Sequence, residues 1–316
     1  MVSVCLENGA VSVRKRARPR RPEGFALIRL LLGGICNTDL ELERGYYGFR
    51  GIPGHEFVGE VVDADDRGWI GERVVGEINL ACGKCAWCAR GLGRHCPTRK
   101  VLGIVKQPGA FREFLTLPER NLHRVPREIP SEEAVFVEPL AAACEILDQV
   151  RIAKGVPVAV LGDGKLGLLA SQVLQAHGAE VHQYGRHAEK LRIAERAGVS
   201  TEIAKKLPVA KYEFVVEATG SSEGLRQAVQ MTQPRGTVVM KSTIHGLVSI
   251  DSAPVIVNEI TLVGSRCGRF EPALRLLKNR KVRVDGMISE VLPLKEAARA
   301  FRAAAKPGVL KVLIHA

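Results

Sequence analysis

The chain has 316 residues, 46% of them hydrophobic and 25% charged, with a formal net charge of +12. That balance belongs to a folded globular protein with chain enough for two cores, and it excludes a mostly disordered polymer. No apolar run reaches the roughly 18–20 residues that cross a bilayer, and the N-terminal charges follow a short apolar stretch, the reverse of a signal peptide, so a cytoplasmic protein with no membrane partner is expected.

In chain order, the first elements read as strands. Ala26–Leu32, Glu56–Val62 and Glu72–Ile78 are short and apolar, and Gly33-Gly34, Pro53-Gly54, Gly68 and Pro108-Gly109 punctuate them. The basic stretch Arg14–Arg21 reads as a solvated surface loop. Pro19 and Pro22 preclude a continuous basic helix, and an aromatic content of 5% offers no obvious base-stacking platform, so nucleic acid is not an expected partner. Near residue 131 the texture changes. Ser131 is a candidate N-cap, Glu132-Glu133 suit a first helical turn, and Ala134–Val150 reads as a helix that Pro139 should kink or interrupt.

From residue 156 strands and helices alternate. Strands are expected at Val156–Leu161, Glu180–Tyr184, Phe214–Glu217, Thr237–Lys241 and Thr261–Gly264, with helices at Gly167–His177, Ala188–Ala197 and Gly224–Met231 between them. This order predicts an α/β Rossmann domain, a doubly wound parallel sheet with helices on both faces. The tail adds helices around Pro272–Asn279 and Leu294–Ala305 and a last strand, Leu310–Ile314.

Strand Val156–Leu161 runs into Gly162-Asp163-Gly164-Lys165-Leu166-Gly167. A G-x-G-x-x-G that leaves a strand, opens a helix and leads to a second strand is the dinucleotide fingerprint. Gly162 permits the tight turn, Gly164 lets backbone approach a pyrophosphate, and Gly167 allows close packing of helix on strand. An NAD site places a carboxylate at the end of the second strand, about 20 residues on. Here that turn reads Gln183-Tyr184-Gly185-Arg186-His187, with no carboxylate. Gly185 leaves room, Arg186 suits a 2′-phosphate, and Lys190 or His187 adds charge, so NADP is favoured over NAD.

Cysteine usage points to metal. Cys82, Cys85, Cys88 and Cys96 form C-x2-C-x2-C-x7-C within one loop, a donor set that closes a tetrahedral shell around a structural zinc; an iron–sulfur cluster is the alternative. A second constellation, Cys36-Asn37-Thr38-Asp39 with Gly54-His55-Glu56, offers ligands for a zinc with one position left open to substrate.

These motifs, with Val137-Glu138-Pro139-Leu140 and the glycine loop, stand in the order found in zinc-dependent medium-chain dehydrogenases, and the chain resembles the threonine, sorbitol and glucose dehydrogenase side of that family over essentially its whole length. The resemblance implies a β-rich GroES-like catalytic domain over residues 1–140 with the zinc lobe at 82–96, a Rossmann domain over 141–270 and a return to the catalytic domain over 271–316. It implies Cys36 and His55 as catalytic zinc ligands and Glu56 or Glu138 as the third. Thr38 would pass on the substrate proton, and Asp39 would orient the histidine. Cys144, near Glu138, is expected to pack in a helix. Two zinc ions per chain and a homo-oligomer, dimer or tetramer, follow from the same resemblance.

The implied chemistry is reversible oxidation of a secondary alcohol, polyol or sugar, with zinc as Lewis acid and hydride transfer to the nicotinamide. Tyr46, Tyr47, Phe49 and Arg50, between the two ligand segments, are candidates for the pocket wall. Two other readings stay open: a cofactor-bound regulator that touches nucleic acid through Arg14–Arg21, and a zinc-free quinone or enone reductase on the same fold.

Overall fold

The structure, a computed structural model, describes residues 1–243 and 247–316. The chain divides into two units. One comprises Met1–Glu138 and Met287–Ala316, the other Pro139–Gly286. The return to the first unit therefore falls later than residue 270. Helix Phe270–Lys278 stays with the second unit, and beyond it the Gln172 side chain holds Arg283 from both sides, accepting from its N–H at 2.8 Å and donating to its carbonyl at 3.1 Å.

The first unit is built on strand Phe25–Gly34, whose apolar residues are mostly buried. It pairs antiparallel with Glu56–Asp63, with Phe114–Pro118 and with Lys311–His315 from the tail. In this register Gly34 faces Glu56 on one side and Leu313 on the other. Neighbouring strands lie about 4.8 Å apart. The segment leaving Gly34 and the segment entering Glu56 are thereby delivered to the same end of the sheet, together with the start of the tail strand.

Ahead of this sheet, Val2–Glu7 and Ala10–Lys15 form a hairpin whose turn, Asn8-Gly9, has positive φ at both residues, the hairpin turn such a pair favours. The basic stretch is therefore partly strand rather than all loop. Several of its charges are met within the chain: Arg14 pairs with Glu7, Arg21 with Asp63 and Asp65, and Arg18 lies over the ring of Phe114.

The second unit holds a parallel sheet in the order 200–203, 180–185, 157–161, 212–217, 232–240, 261–264. The first strand in sequence lies in the middle and the chain winds outward on each side, which puts the switch point between Pro157–Leu161 and Tyr212–Glu217. Ala159, Leu161, Tyr184, Tyr212, Val215, Met231 and Val238 form its core. Strand Ser200–Ile203 has no apolar run to announce it and forms by pairing with Glu180–Gly185 at the sheet edge. No helix among the described residues is long and apolar enough to cross a membrane.

Two local expectations change. Ser131 is the first residue of helix Ser131–Ala134, with Pro130 at the cap, and its hydroxyl accepts from Arg73 at 3.2 Å. The helical run breaks before Pro139. Val137–Gln149 starts afresh and carries Pro139 in its first turn, where no N–H is required.

The four-cysteine lobe lies between the paired strands Asn79–Leu80 and Lys100–Leu102. A single helical turn, Ala86–Ala89, follows Cys85. The Sγ atoms of Cys85 and Cys88 are 3.5 Å apart, those of Cys85 and Cys96 3.8 Å and those of Cys82 and Cys88 3.9 Å. A zinc–sulfur bond of about 2.3 Å sets a tetrahedron edge of roughly 3.8 Å. The spacing fits one mononuclear ion, whereas a cluster would interpose its own iron atoms and spread the thiolates. Their protonation tendencies also differ. The N–H of Cys82 and the Thr98 hydroxyl bring Cys96 down to about 6, while burial and the neighbouring Cys85 push Cys88 up to about 11. Four thiolates at this distance repel one another, so full ionisation needs a cation among them.

Replacing Cys88 by Ser should remove close to one equivalent of zinc per chain. It should also lower the thermal midpoint by roughly 4–8 °C, the shift that about 2 kcal/mol produces in a domain of this size. Nicotinamide cofactor affinity should stay near that of the unmodified protein. Unchanged zinc content and midpoint in the purified variant would refute the structural role.

Candidate active site

The ligand-bearing segments are joined by one carboxylate. Asp39 is fully buried in the first turn of helix Asn37–Glu43. Its Oδ2 accepts from the N–H of Cys36 at 2.9 Å, as in a capping box, and its Oδ1 accepts from the N–H of Gly54 at 3.1 Å. The same Oδ1 lies 3.4 Å from Nδ1 of His55, which makes no hydrogen bond among the described residues. Gly54 must be glycine. Its φ is +98°, and an added Cβ would meet the ring of Phe111 at 2.4 Å.

The donor atoms of Cys36, His55 and Glu56 all lie within 4.8 Å of one another. Glu138, half-buried in the first turn of Val137–Gln149, is not part of that group. A thiol, an imidazole and a carboxylate make a donor set that suits zinc, with a fourth position left for substrate. With Nδ1 turned to Asp39, the imidazole keeps Nε2 for a ligand, the usual arrangement of a metal-bound histidine. Burial pushes the His55 ring down in pKa, but Asp39 and then Cys36 push it up by more, and it ends well above its ordinary value.

The sequence reading missed Lys311. It is 1% exposed and sits in the tail strand. Its Nζ is in close contact with Oε2 of Glu56, lies 3.4 Å from the carbonyl of Ile35 and faces the ring of Phe136 at 5.7 Å. Burial pushes this ammonium down in pKa, and Glu56, then Cys36, outweigh that and raise it, so it stays charged. The signal in sequence was one lysine in an apolar strand, Lys311-Val312-Leu313-Ile314. Gly34 leaves room for the pair: a Cβ there would come within 2.8 Å of Glu56 Oε2 and 3.3 Å of the Lys311 stem.

Thr38 is half-buried in the same first turn as Asp39. Tyr46–Gly48 forms a short helical turn beyond that helix, with Tyr47 largely exposed. Cys144 is buried, and burial, with Asp148 adding to it, pushes its thiol up to about 12, which suits packing and not ligation.

In the second unit, helix Lys165–His177 opens directly from the glycine loop. Gly162 has φ +121° and a Cβ there would meet the carbonyl of Ala218 at 2.5 Å; at Gly167 a Cβ would meet the carbonyl of Gly162 at 2.3 Å. At Gly164 nothing lies within 4 Å, so this face is open to a ligand. The N–H groups of Lys165, Leu166 and Gly167 occupy the first helical turn, where intrahelical acceptors are lacking. Gln183 braces the loop from the second strand. Its Nε2 donates to the carbonyl of Gly162 at 2.8 Å while its Oε1 accepts from Ser171 at 2.8 Å.

The turn after the second strand differs from its expected form in two ways. It does have a carboxylate, brought to it by Asp163 of the glycine loop, whose Oδ2 accepts from the N–H groups of Arg186 at 2.6 Å and His187 at 2.7 Å. Gly185 leaves no spare room, because a Cβ there would lie 2.6 Å from Cβ of Asp163. Arg186 itself is exposed, and Lys190, in helix Ala188–Glu195, is half-buried.

Comparison with known proteins agrees with this layout. Residues 22–127 match the alcohol dehydrogenase GroES-like domain and residues 166–279 the zinc-binding dehydrogenase domain. The chain is 28% identical to a sorbitol dehydrogenase of Halalkalibacterium halodurans, over 97% of this chain and 96% of that one. It is 30% identical to a 2-dehydro-3-deoxy-L-galactonate 5-dehydrogenase of Pseudoalteromonas atlantica, over 87% and 86%. A structure from Sinorhizobium meliloti 1021, described as a zinc-binding dehydrogenase and bound to NADP, superposes with a TM-score of 0.90 at 30% identity, covering 100% of this chain and 99% of that one. With a GroES-like unit, a parallel dinucleotide-type sheet and relatives of this extent, the chain belongs to the zinc-type medium-chain dehydrogenase/reductase family.

Proposed function

We infer that this chain is a zinc-dependent oxidoreductase. It transfers a hydride between an alcohol, whether a secondary alcohol, a polyol or a sugar, or the matching carbonyl compound, and a nicotinamide cofactor, with NADP preferred. The observation that carries this is the gathering of Cys36, His55 and Glu56 within 4.8 Å of one another. A zinc-free reductase has no use for that donor set, and neither does a regulator that only senses a cofactor. Sugar-acid and polyol dehydrogenases among the relatives support a hydroxylated substrate.

In this reading Cys36, His55 and Glu56 hold one zinc and Cys82, Cys85, Cys88 and Cys96 the other, two per chain. When bound at the first site, zinc supplies Lewis acidity toward the substrate oxygen and lowers the alcohol's pKa. Asp39 holds the His55 ring in one tautomer and orientation. Lys311 balances the buried charge of Glu56. The Thr38 hydroxyl takes the substrate proton and passes it outward. Gly162, Gly164 and Gly167, with the first turn at Lys165 and Leu166, seat the pyrophosphate, and the exposed Arg186, with Lys190, meets a 2′-phosphate. The edge strand Thr261–Gly264, beside the exposed Ile256 and Val257, supports association into a homo-oligomer.

The direct test is metal analysis joined to a screen of alcohols, polyols and aldehydes with each cofactor. Cys36→Ala or His55→Ala should lower turnover about a thousandfold or more, the loss that several kcal/mol of electrostatic stabilisation corresponds to. NADPH affinity should stay within about twofold, because the glycine loop belongs to the other unit. Substantial turnover in a variant stripped of that zinc would sink the Lewis-acid role.

Arg186→Ala should weaken NADPH by roughly 1.5–3 kcal/mol, the scale of a hydrogen bond to a charged group, and leave NADH nearly unchanged. Titration of both reduced cofactors by fluorescence checks this. Equal weakening of the two, or an unmodified protein that prefers NADH, would overturn the NADP assignment.

A further inference from the structure

We propose that Asp163 is the ribose-binding carboxylate of the nucleotide site, supplied from the glycine loop instead of from the end of the second strand. This rests on the nicotinamide reading above and refines it, because it assigns a second determinant of cofactor choice that works against Arg186.

The geometry divides the carboxylate in two. Oδ2 takes three hydrogen bonds: from the N–H of Arg186 at 2.6 Å, the N–H of His187 at 2.7 Å and Nδ1 of His187 at 2.9 Å. Among the described residues Oδ1 takes none. The side chain is 10% exposed, so it sits at the edge of the interior with one oxygen unclaimed. Burial by itself would raise the carboxyl pKa. The His187 N–H and ring and the Arg186 N–H outweigh burial and bring it below the usual carboxylate range, so the acceptor is ionised at neutral pH.

A carboxylate at the end of the second strand and one at position 163 exclude each other. The Cβ of any residue replacing Gly185 would lie 2.6 Å from Cβ and 2.8 Å from Oδ2 of Asp163, and 2.8 Å from the Leu191 side chain. The glycine at 185 is therefore the counterpart of the aspartate at 163, and the ribose acceptor has changed strands without leaving the turn. Because Oδ2 consumes the two N–H groups, a 2′-phosphate finds them already paired and must rely on the Arg186 and Lys190 side chains. The adenosine 2′-hydroxyl of NAD, in contrast, can donate a hydrogen bond to Oδ1. Asp163 favours NAD and Arg186 favours NADP, so the chain binds both with a moderate margin.

The test measures NADH, NADPH, NAD and 2′-deoxy-NAD affinities for the unmodified protein and for Asp163→Asn. The asparagine keeps an oxygen against the Arg186 and His187 N–H groups and presents NH2 where Oδ1 was, turning an acceptor into a donor. NADH affinity should fall about tenfold while NADPH holds or rises, moving the ratio at least tenfold toward NADPH. The unmodified protein should bind 2′-deoxy-NAD about tenfold more weakly than NAD, and Asp163→Asn should erase that difference. Equal weakening of NADH and NADPH would make Asp163 a brace for the turn and nothing more, and would overturn the proposal. Equal affinity of the unmodified protein for NAD and 2′-deoxy-NAD would overturn it even if the variant failed to fold. A protein that bound no nicotinamide cofactor would instead bring down the reading on which the proposal rests.

Discussion

The catalytic unit depends on one buried carboxylate that receives more than one partner. Asp39 ties the N–H of Cys36 to the N–H of Gly54 and faces the ring of His55, so two segments that reach the same sheet end from different strands are fixed by a single group. An ionised carboxylate without such partners would cost several kcal/mol to bury. The donors are therefore as necessary to Asp39 as Asp39 is to them, and the Cys36, Gly54 and His55 segments are held in one arrangement. Lys311 and Glu56 repeat the arrangement with a full charge pair, 1% exposed on both sides. Pairs of this kind add little net stability over an apolar equivalent, but breaking one partner leaves a charge stranded. Here they hold Glu56 to one side of the cluster and fix where its second oxygen can turn.

The nucleotide unit solves its positioning with backbone. The loop carbonyl of Gly162 is wedged under Gly167 and held by Gln183, and Ala218 closes it from the neighbouring strand, so the loop has one shape and an open face only at Gly164. Such rigidity lets side chains on the rim, Asp163 and Arg186 above all, differ in charge without disturbing the loop backbone.

What was legible in sequence was local. The strand–glycine loop–helix order, the C-x2-C-x2-C-x7-C spacing and the Cys36 and His55 segments stand within short windows, and the alternation of strands and helices was enough to predict a parallel sheet, though not the order of its strands. What stayed hidden depends on residues far apart. Lys311 and Glu56 are 255 positions apart, and no local pattern marks the lysine as buried. Asp163 lies inside a motif whose glycines draw the attention, and its partners are more than twenty residues on. The boundary errors have equally physical causes. Pro139 looks like a helix breaker until the helix is seen to begin at Val137, and the basic stretch, exposed as expected, looks like loop until its first residues are seen in strand Ala10–Lys15.

The strand that carries Lys311 has a consequence for the birth of the molecule. It completes the central sheet of the first unit from beyond the entire second unit, so a nascent chain has made Cys36, His55 and Glu56 long before the partner of Glu56 exists. At about 5–20 residues per second, synthesis of the intervening 255 positions takes roughly 13–50 s. Over that interval the Leu32–Gly34 end of one edge of Phe25–Gly34 stays unpaired, and Glu56 lacks Lys311. The second unit, by contrast, is contiguous in sequence and needs no later segment to complete its sheet. The pair between Glu56 and Lys311 therefore cannot form until the whole of the second unit has been made.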